Sequence, residues 1–155
     1  MKRLWLSFAL LFGLLLPFNQ PASADVLIVS QDQLTGYERS LFKHWIDADK
    51  DGCNKRYEVL IAEATVKPKV SAGCYLTGGR WRSSYDGKVF TNPTGLDIDH
   101  MVPLAEAWRS GAWAWTAAQR MDFANDLEDS RSLIAVTASL NRSKGDRDVA
   151  GWLPP

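Results

Sequence analysis

Two short segments constrain the fold of this chain more than any other feature. The first, Leu96–Pro103 (LDIDHMVP), is a run of β-forming residues that ends in Asp99 and His100. The second, Ser139–Asp146 (SLNRSKGD), follows a short apolar run that has the length of a buried strand. Successive side chains of a strand point to opposite faces, so Asp99 and His100 should leave the end of the first strand on opposite sides. The pattern therefore predicts a strand, a second strand and a helix that meet at a polar edge.

The residue types at this edge predict hydrolysis of a phosphodiester. Histidine is the side chain whose ordinary pKa suits a base near neutral pH, which fits His100. Asn141 stands on the helix after the second strand, where its side-chain oxygen can face Asp99. Carboxylate and amide oxygens suit Mg²⁺ or Mn²⁺, and only two such ligands leave the ion largely hydrated and open to substrate. We therefore expect a one-metal site with His100 on its far side.

The sequence D-x-D-H-x-V-P followed by S-L-I-A-V-T-A-S-L-N-R-S-K-G-D resembles the ββα-metal (His-Me) finger of HNH endonucleases. The resemblance is closest to exported HNH nucleases grouped with the C-terminal domain of GmrSD-type restriction enzymes. It implies that His100 is the general base, that Asp99 and Asn141 hold the metal, and that Asp97 is an acid beside the ion. It also implies a nucleic-acid substrate, DNA first, and a finger core over 96–146 with a helical insertion at 112–128.

The chain departs from the HNH pattern in two places. The middle Asn of that motif, which helps to fix the loop that carries the base, falls on Ser132, and Asn125 is a second candidate for the role. Many HNH proteins also hold a structural zinc ion with two CxxC pairs, which this sequence lacks. We expect a disulfide and a larger exported domain to replace the zinc.

The first residues of the chain have the composition of a signal peptide. Lys2 and Arg3 precede the apolar run Leu4–Leu16, and Ala22–Ala24 is a small-x-small cleavage pattern. We expect cleavage after Ala24 and a periplasmic or secreted product without a membrane span. Without Lys2 and Arg3, the 18 basic residues become 16 against 18 acidic ones, a net charge of about −2. Such a chain does not bind nucleic acid through overall charge, so phosphate binding must be local.

Four cationic residues near the motif are candidates for phosphate contacts, since Arg and Lys bind phosphate oxygens without reading the base sequence. The alternative is a solvated charged face that is offset by Asp146 and Asp148. No segment resembles a recognition helix, so little sequence specificity is expected. The four candidates are Arg80, Arg82, Arg142 and Lys144.

The predicted mature chain, 25–155, is long enough for one domain, which we expect to be α+β. In an exported protein, Cys53 and Cys74 should form a disulfide, because the alternative, a two-thiol metal site, lacks further ligands nearby. The tryptophans of the Ala-rich stretch, Trp108, Trp113 and Trp115, should pack in the core.

Local patterns predict most of the regular elements. Apolar residues at helical spacing predict an amphipathic helix over Gln33–Ile46, and a second helix should run from Arg56 to about Thr65, before the Lys67–Pro68 step. Gly and β-forming residues between 73 and 99 predict short strands with a turn at Tyr85–Lys88.

The second half of the chain carries two helix-start patterns. Thr116 and Gln119 predict a capping box, after which Ala117, Met121, Ala124 and Leu127 would form an apolar face. Leu133–Val136 should be a buried strand, and Thr137 or Ser139 can cap the helix that carries Asn141.

A separate acidic segment matches the EF-hand pattern D-x-D-x-D-G-x5-E, which places three carboxylates, a turn glycine and a terminal Glu around Ca²⁺. Asn54 and Lys55 depart from the usual eighth and ninth residues, and the loop has no partner hand. The alternatives are a structural calcium site and an acidic turn that anchors Cys53. The matching residues are Asp47, Asp49, Asp51, Gly52 and Glu58.

These observations leave three functions open. The first is a largely sequence-nonspecific DNA endonuclease, the second an RNA-preferring nuclease with the same site chemistry, and the third a non-catalytic, calcium-stabilised extracellular binding module. His44, the other histidine, has no acidic neighbours in sequence and should be structural. We expect a monomer.

Overall fold

The computed structural model describes residues 32–155; the predicted signal peptide and its cleavage site lie outside them. Within this range the chain folds as a small α+β unit of helices and short antiparallel strands, as predicted. The helices are α1 Lys55–Glu63, α2 Leu104–Arg109, α3 Ala117–Ala124 and α4 Ala138–Lys144, with single 3-10 turns at Arg39–Leu41, Pro93–Gly95 and Ala112–Ala114. The strands are β1 Lys69–Ser71, β2 Tyr75–Thr77, β3 Trp81–Arg82, β4 Val89–Phe90, β5 Leu96–His100 and β6 Leu133–Thr137.

The strands pair consecutively into three two-stranded antiparallel sheets, β1–β2, β3–β4 and β5–β6. The β5–β6 pair is the longest and runs in register from Leu96 opposite Thr137 to His100 opposite Leu133. The chain passes from β6 directly into α4, which packs against both strands. This β5–β6–α4 unit is the predicted finger. Within 32–155, no helix has the length and apolar composition that a membrane span requires.

The largest apolar cluster lies between α1 and the β5–β6 pair. Leu60 of α1, Trp81 of β3, and Leu96 and Ile98 of β5 are all buried in it. The Trp81 indole Nε1 donates a hydrogen bond to the Leu60 carbonyl at 2.6 Å, so the buried polar group of this large side chain is satisfied. The cluster fixes the side of the finger that faces away from α4.

Helix α1 confirms the second predicted helix with nearly the predicted bounds. Asn54 caps its first turn by accepting a hydrogen bond from the Tyr57 amide. The preceding residue, Cys53, forms the predicted disulfide with Cys74, which excludes the two-thiol metal site. The bond encloses a sequence separation of 21 residues, for which the loop-entropy relation gives about 3 kcal/mol of stabilisation.

The prediction of a helix over Gln33–Ile46 is wrong, because only a 3-10 turn forms there. Gly36 and Trp45 have φ angles of 79° and 59°, which a right-handed helix cannot contain. The irregular path lets Phe42 become fully buried among α2 and α3, in contact with Trp108. Packing of these aromatic side chains therefore outweighs the helical spacing of the apolar residues.

The remaining predictions for the second half are confirmed in part. The Thr116–Gln119 capping box is present, and the tryptophans at 108 and 115 pack on the cluster around Phe42. Trp113 is 47% exposed, so the prediction that it packs in the core is wrong. Leu127 lies beyond the end of α3, so it does not extend the apolar face of that helix, as was predicted for it. Thr137 occupies the N-cap position of α4, although its hydroxyl donates to Asp86 at 2.8 Å and makes no capping bond.

Candidate active site

The residues of the two motifs meet around one pocket at the open end of the finger. Asp99 and His100, at the end of β5, and Asn141, on α4, line this pocket of about 130 Å³. Arg39 and Asp146 line it as well; the sequence patterns did not identify Arg39, and they indicated Asp146 only as the end of the second motif and as an acid of a solvated charged face. The β5–β6 register and the direct passage from β6 into α4 bring these distant residues together.

One oxygen of the Asp99 carboxylate is fixed by two donors. Asp99 is buried, and its Oδ2 accepts hydrogen bonds from the Tyr85 hydroxyl at 2.5 Å and from the Lys144 ammonium at 2.6 Å. Burial, together with the bond to Asp99, raises the pKa of Tyr85, so the phenol remains a donor. Oδ1 accepts no hydrogen bond from residues 32–155 and is the oxygen that can bind a cation.

Asn141 is the residue at the pocket that could offer a second oxygen to a cation. Its side chain lines the pocket, and within 32–155 it forms no hydrogen bond to another residue. A carboxylate oxygen and an amide oxygen form a hard donor set that fits Mg²⁺ or Mn²⁺, with water in the remaining positions. The residues present therefore fit such an ion.

One nitrogen of the buried His100 ring is fixed by a backbone carbonyl. His100 is buried, and its Nε2 lies 2.9 Å from the carbonyl oxygen of Ala124, the last residue of α3. A carbonyl oxygen only accepts hydrogen bonds, so we assign the proton to Nε2 and the free lone pair to Nδ1. Burial lowers the pKa of His100 to about 4, so the ring is neutral at pH 7.

A second layer of side chains surrounds the His100 ring. The Trp45 ring lies 5.5 Å from it, centroid to centroid, and the His44 ring lies 6.1 Å from it. Trp45 has a φ of 59°, an uncommon backbone conformation for a bulky residue. His44 Nδ1 lies 2.7 Å from the Phe42 carbonyl, which orients it. His44 therefore lies beside His100, which its sequence neighbours did not indicate.

Asn125 holds the segment that carries Trp45. Its carboxamide donates to the carbonyls of Lys43 at 2.8 Å and Met121 at 2.7 Å, and accepts from the Ile46 amide at 3.1 Å. The Ser132 hydroxyl instead donates to Asp126 at 2.6 Å, while the Ser132 carbonyl accepts from the Met101 amide. Of the two candidates for the middle HNH residue, Asn125 is thus the one whose side chain supports the surroundings of His100.

The position of Lys144 contradicts its predicted phosphate contact. Lys144 is 5% exposed, and its Nζ donates to Asp99 Oδ2, to the His100 carbonyl at 2.9 Å and to the Met101 carbonyl at 3.2 Å. An ammonium has three hydrogens, so none is left for a phosphate. The sequence did not reveal this burial because Lys144 stands among polar residues.

The other predicted cations lie outside the pocket. Arg142 is exposed and forms a 3.2 Å ion pair with Asp97. Asp97 is the acid predicted to lie beside the ion, and here its carboxylate is paired with this arginine. Solvent screening makes such an exposed pair weak. Arg80 and Arg82 are exposed near the β3–β4 hairpin and do not line the pocket. Arg39 is therefore the arginine that lies at the pocket itself.

The acidic loop brings three of its four predicted acids together. Ligand oxygens of Asp47, Asp49 and Asp51 all lie within 4.8 Å of one another on the surface. Gly52 has a φ of 96°, and its amide donates to Asp47 at 3.1 Å, so the turn glycine serves as the pattern predicts. Glu58 is not in this group; it forms a 2.8 Å ion pair with Lys55.

Comparison with known proteins adds two findings. Residues 51–151 match the family described as GmrSD restriction endonucleases, C-terminal domain. The chain is also similar to an uncharacterized secreted protein of Arthroderma benhamiae, with 47% identity over 136 residues. The match covers 88% of this chain and 65% of the fungal protein, so the chain spans about two thirds of that relative. No solved structure matches the chain.

Proposed function

Because the chain belongs to the family of the GmrSD restriction endonuclease C-terminal domain, we propose that it is an exported, metal-dependent endonuclease that hydrolyses DNA with little sequence specificity. The observation that carries the proposal is the shared pocket of Asp99, His100 and Asn141. The similarity to a fungal protein described as secreted supports export. We propose that the enzyme acts as a monomer.

His100 is the general base of the proposed reaction. Its Nδ1 accepts a proton from a water molecule, whose oxygen then attacks the phosphorus while the bond to the leaving oxygen breaks. The Ala124 carbonyl stabilises the protonated ring by accepting from Nε2–H, at the 2.9 Å distance given above. The low pKa that burial gives the ring keeps it available as a base near neutral pH.

Asp99 and Asn141 are the proposed ligands of Mg²⁺ or Mn²⁺. Oδ1 of Asp99 is the open oxygen, and the Asn141 amide is the neutral partner. When bound, the ion neutralises negative charge on the transition state and on the leaving oxygen. Tyr85 holds the other oxygen of Asp99 and so fixes the direction in which Oδ1 points.

Arg39 replaces Lys144 as the proposed phosphate contact at the site. It is exposed and lines the pocket, so its guanidinium can reach an oxygen of the phosphate next to His100. Arg80, Arg82 and Arg142 remain candidates for contacts with flanking phosphates. Such contacts position the strand without reading its sequence, which supports low specificity.

Cleavage of supercoiled plasmid tests the proposed function. We expect the purified mature chain to nick and degrade plasmid DNA with Mg²⁺ or Mn²⁺, and EDTA to stop the reaction. His100→Ala should remain folded and lose the activity, whereas His44→Ala, with a nearby but uninvolved ring, should retain most of it. Retained cleavage by His100→Ala would show that the base is misassigned. Parallel assays on single- and double-stranded DNA and RNA distinguish the DNA enzyme from an RNA-preferring one, and no cleavage of any substrate would favour a binding module.

For the acidic loop we propose structural Ca²⁺ binding by Asp47, Asp49 and Asp51. The convergence of their oxygens and the conformation of Gly52 support this assignment, which concerns stability and not catalysis.

A further inference from the structure

Lys144 is a buried cation in direct contact with the proposed metal ligand. It bonds the Asp99 side chain and the carbonyls of His100 and Met101, which are the last two residues of β5 and the residue that follows them. A buried ammonium is costly unless it is fully paired, and here each of its three hydrogens has an acceptor. This arrangement fastens the last residue of α4 to the strand end that carries the site.

The position of Lys144 on α4 links it to the second proposed ligand. Asn141 and Lys144 are three residues apart, so they project from neighbouring positions on one face of the helix. The bonds of Lys144 to the end of β5 therefore add to the β5–β6 pairing and the direct β6–α4 connection in holding Asn141 near Asp99.

The charge of Lys144 has a second consequence. Asp99 is buried, and without a cation its negative charge would be uncompensated. Within 32–155, Lys144 is the cation that contacts Asp99, while Tyr85 contributes a neutral donor. An ion at Oδ1 would share this carboxylate with Lys144, and two cations on one carboxylate repel each other.

We propose that Lys144 is a positioning residue: in the metal-free protein it provides the positive charge that the buried Asp99 carboxylate needs, and it so keeps the end of β5 and the end of α4 together until the metal ion binds. The proposal rests on the proposed function for the identity of the ligands. It implies that Lys144 weakens metal binding while it stabilises the empty site. The ion then remains exchangeable without loss of the fold.

The test compares unfolding by urea in EDTA and in saturating Mn²⁺. The variants are Lys144→Met, Asp99→Asn, the double variant and the control Lys69→Met, which removes an exposed lysine of β1. Lys144→Met should be less stable than the control in EDTA, and Mn²⁺ should restore most of the loss. Its apparent Kd for Mn²⁺ should be roughly tenfold lower than that of the wild type. Because every variant keeps the acidic loop, only differences between variants count.

The double variant separates charge compensation from packing. It lacks both charges, so in EDTA it should be more stable than Lys144→Met alone, even if that single variant does not fold. The proposal is overturned if Lys144→Met lowers the free energy of unfolding by the same amount with and without Mn²⁺, and by the same amount whether residue 99 is Asp or Asn. Lys144 would then be a packing residue.

Plasmid cleavage by the wild type is measured in parallel. If the wild type does not cut, the proposed function fails, while the comparison in EDTA still decides the role of Lys144. If the wild type cuts and the variants show no coupling, the inference about Lys144 alone is overturned.

Discussion

Replacing Asn125 with alanine should destabilise the protein and slow cleavage without weakening metal binding. The side chain is 6% exposed, and its removal deletes its bonds to the Ile46 amide and to the carbonyls of Lys43 and Met121. The bonds are part-buried, so each is worth about 0.5–1.5 kcal/mol, and the loss of all three lowers the free energy of unfolding by about 1.5–4.5 kcal/mol. Domains of this size have about 5–15 kcal/mol, so Asn125→Ala should still fold at low temperature.

The effect on cleavage follows from what these bonds hold. They fix the segment 43–46, whose Trp45 ring packs against His100. Loosening it should lower kcat by roughly tenfold to a hundredfold, because small displacements of a reacting group have effects of this size. KM and the affinity for Mn²⁺ should change little, since the Asn125 side chain bonds Ile46, Lys43 and Met121 and neither of the proposed ligands.

The assays are urea unfolding followed by tryptophan fluorescence and plasmid cleavage under conditions where both proteins are folded. Asn92→Ala is the matched control, because Asn92 is exposed and accepts a single local bond from the Thr94 amide at 2.9 Å. It should lose no more than about 1 kcal/mol and no activity. If Asn125→Ala lost less than the control and cut DNA at the wild-type rate, the supporting role of this carboxamide would be refuted.

Three further predictions concern stability. The double variant Cys53→Ala, Cys74→Ala should lose about 3 kcal/mol of unfolding free energy, measured by urea denaturation, and an unchanged midpoint would contradict the contribution assigned to the disulfide. Calcium chelation should lower the Tm of the wild type but not of Asp47→Ala, and an equal response from both would favour a plain acidic turn. In EDTA, the wild type should lose stability relative to His100→Asn as the pH falls from about 6.5 to about 4. The pKa of His100 is about 4 in the folded state and about 6.5 in the unfolded state, so as the pH falls the unfolded state binds the proton first. The resulting loss of unfolding free energy, complete below about pH 4, is about 3 kcal/mol. Parallel stability curves of the two proteins against pH would argue against a buried neutral ring.

The sequence predicts the finger well because each of its elements is determined by residues that are close together in the sequence. The alternation in β5, the apolar run of β6 and the following polar helix determine both the elements and their order, and antiparallel pairing then brings Asp99 and His100 close to Asn141. The disulfide follows from the expected export, and the α3 capping box from two residues three apart. Each of these features depends on neighbours in sequence or on a recognisable motif.

The errors arise where tertiary packing decides. The helical spacing over 33–46 places aromatic residues for a cluster with α2 and α3, in which an irregular path buries Phe42 better than a helix would. Lys144 has the composition and neighbours of a surface residue, and only its three buried acceptors show its role. Tyr85 lies in the predicted turn Tyr85–Lys88, which gives no sign of its bond to Asp99. Arg39 comes from a segment without a catalytic pattern, so no local signal could place it at the pocket.

The most direct test of the account is anomalous diffraction from a crystal soaked in Mn²⁺. We expect one peak in the pocket between Oδ1 of Asp99 and the side-chain oxygen of Asn141, with Nδ1 of His100 facing the same space. The peak should be missing from Asp99→Ala crystals. A manganese peak confined to the Asp47–Asp51 loop, or an Asn141 side chain turned away from Asp99 in the soaked crystal, would contradict the proposed active site.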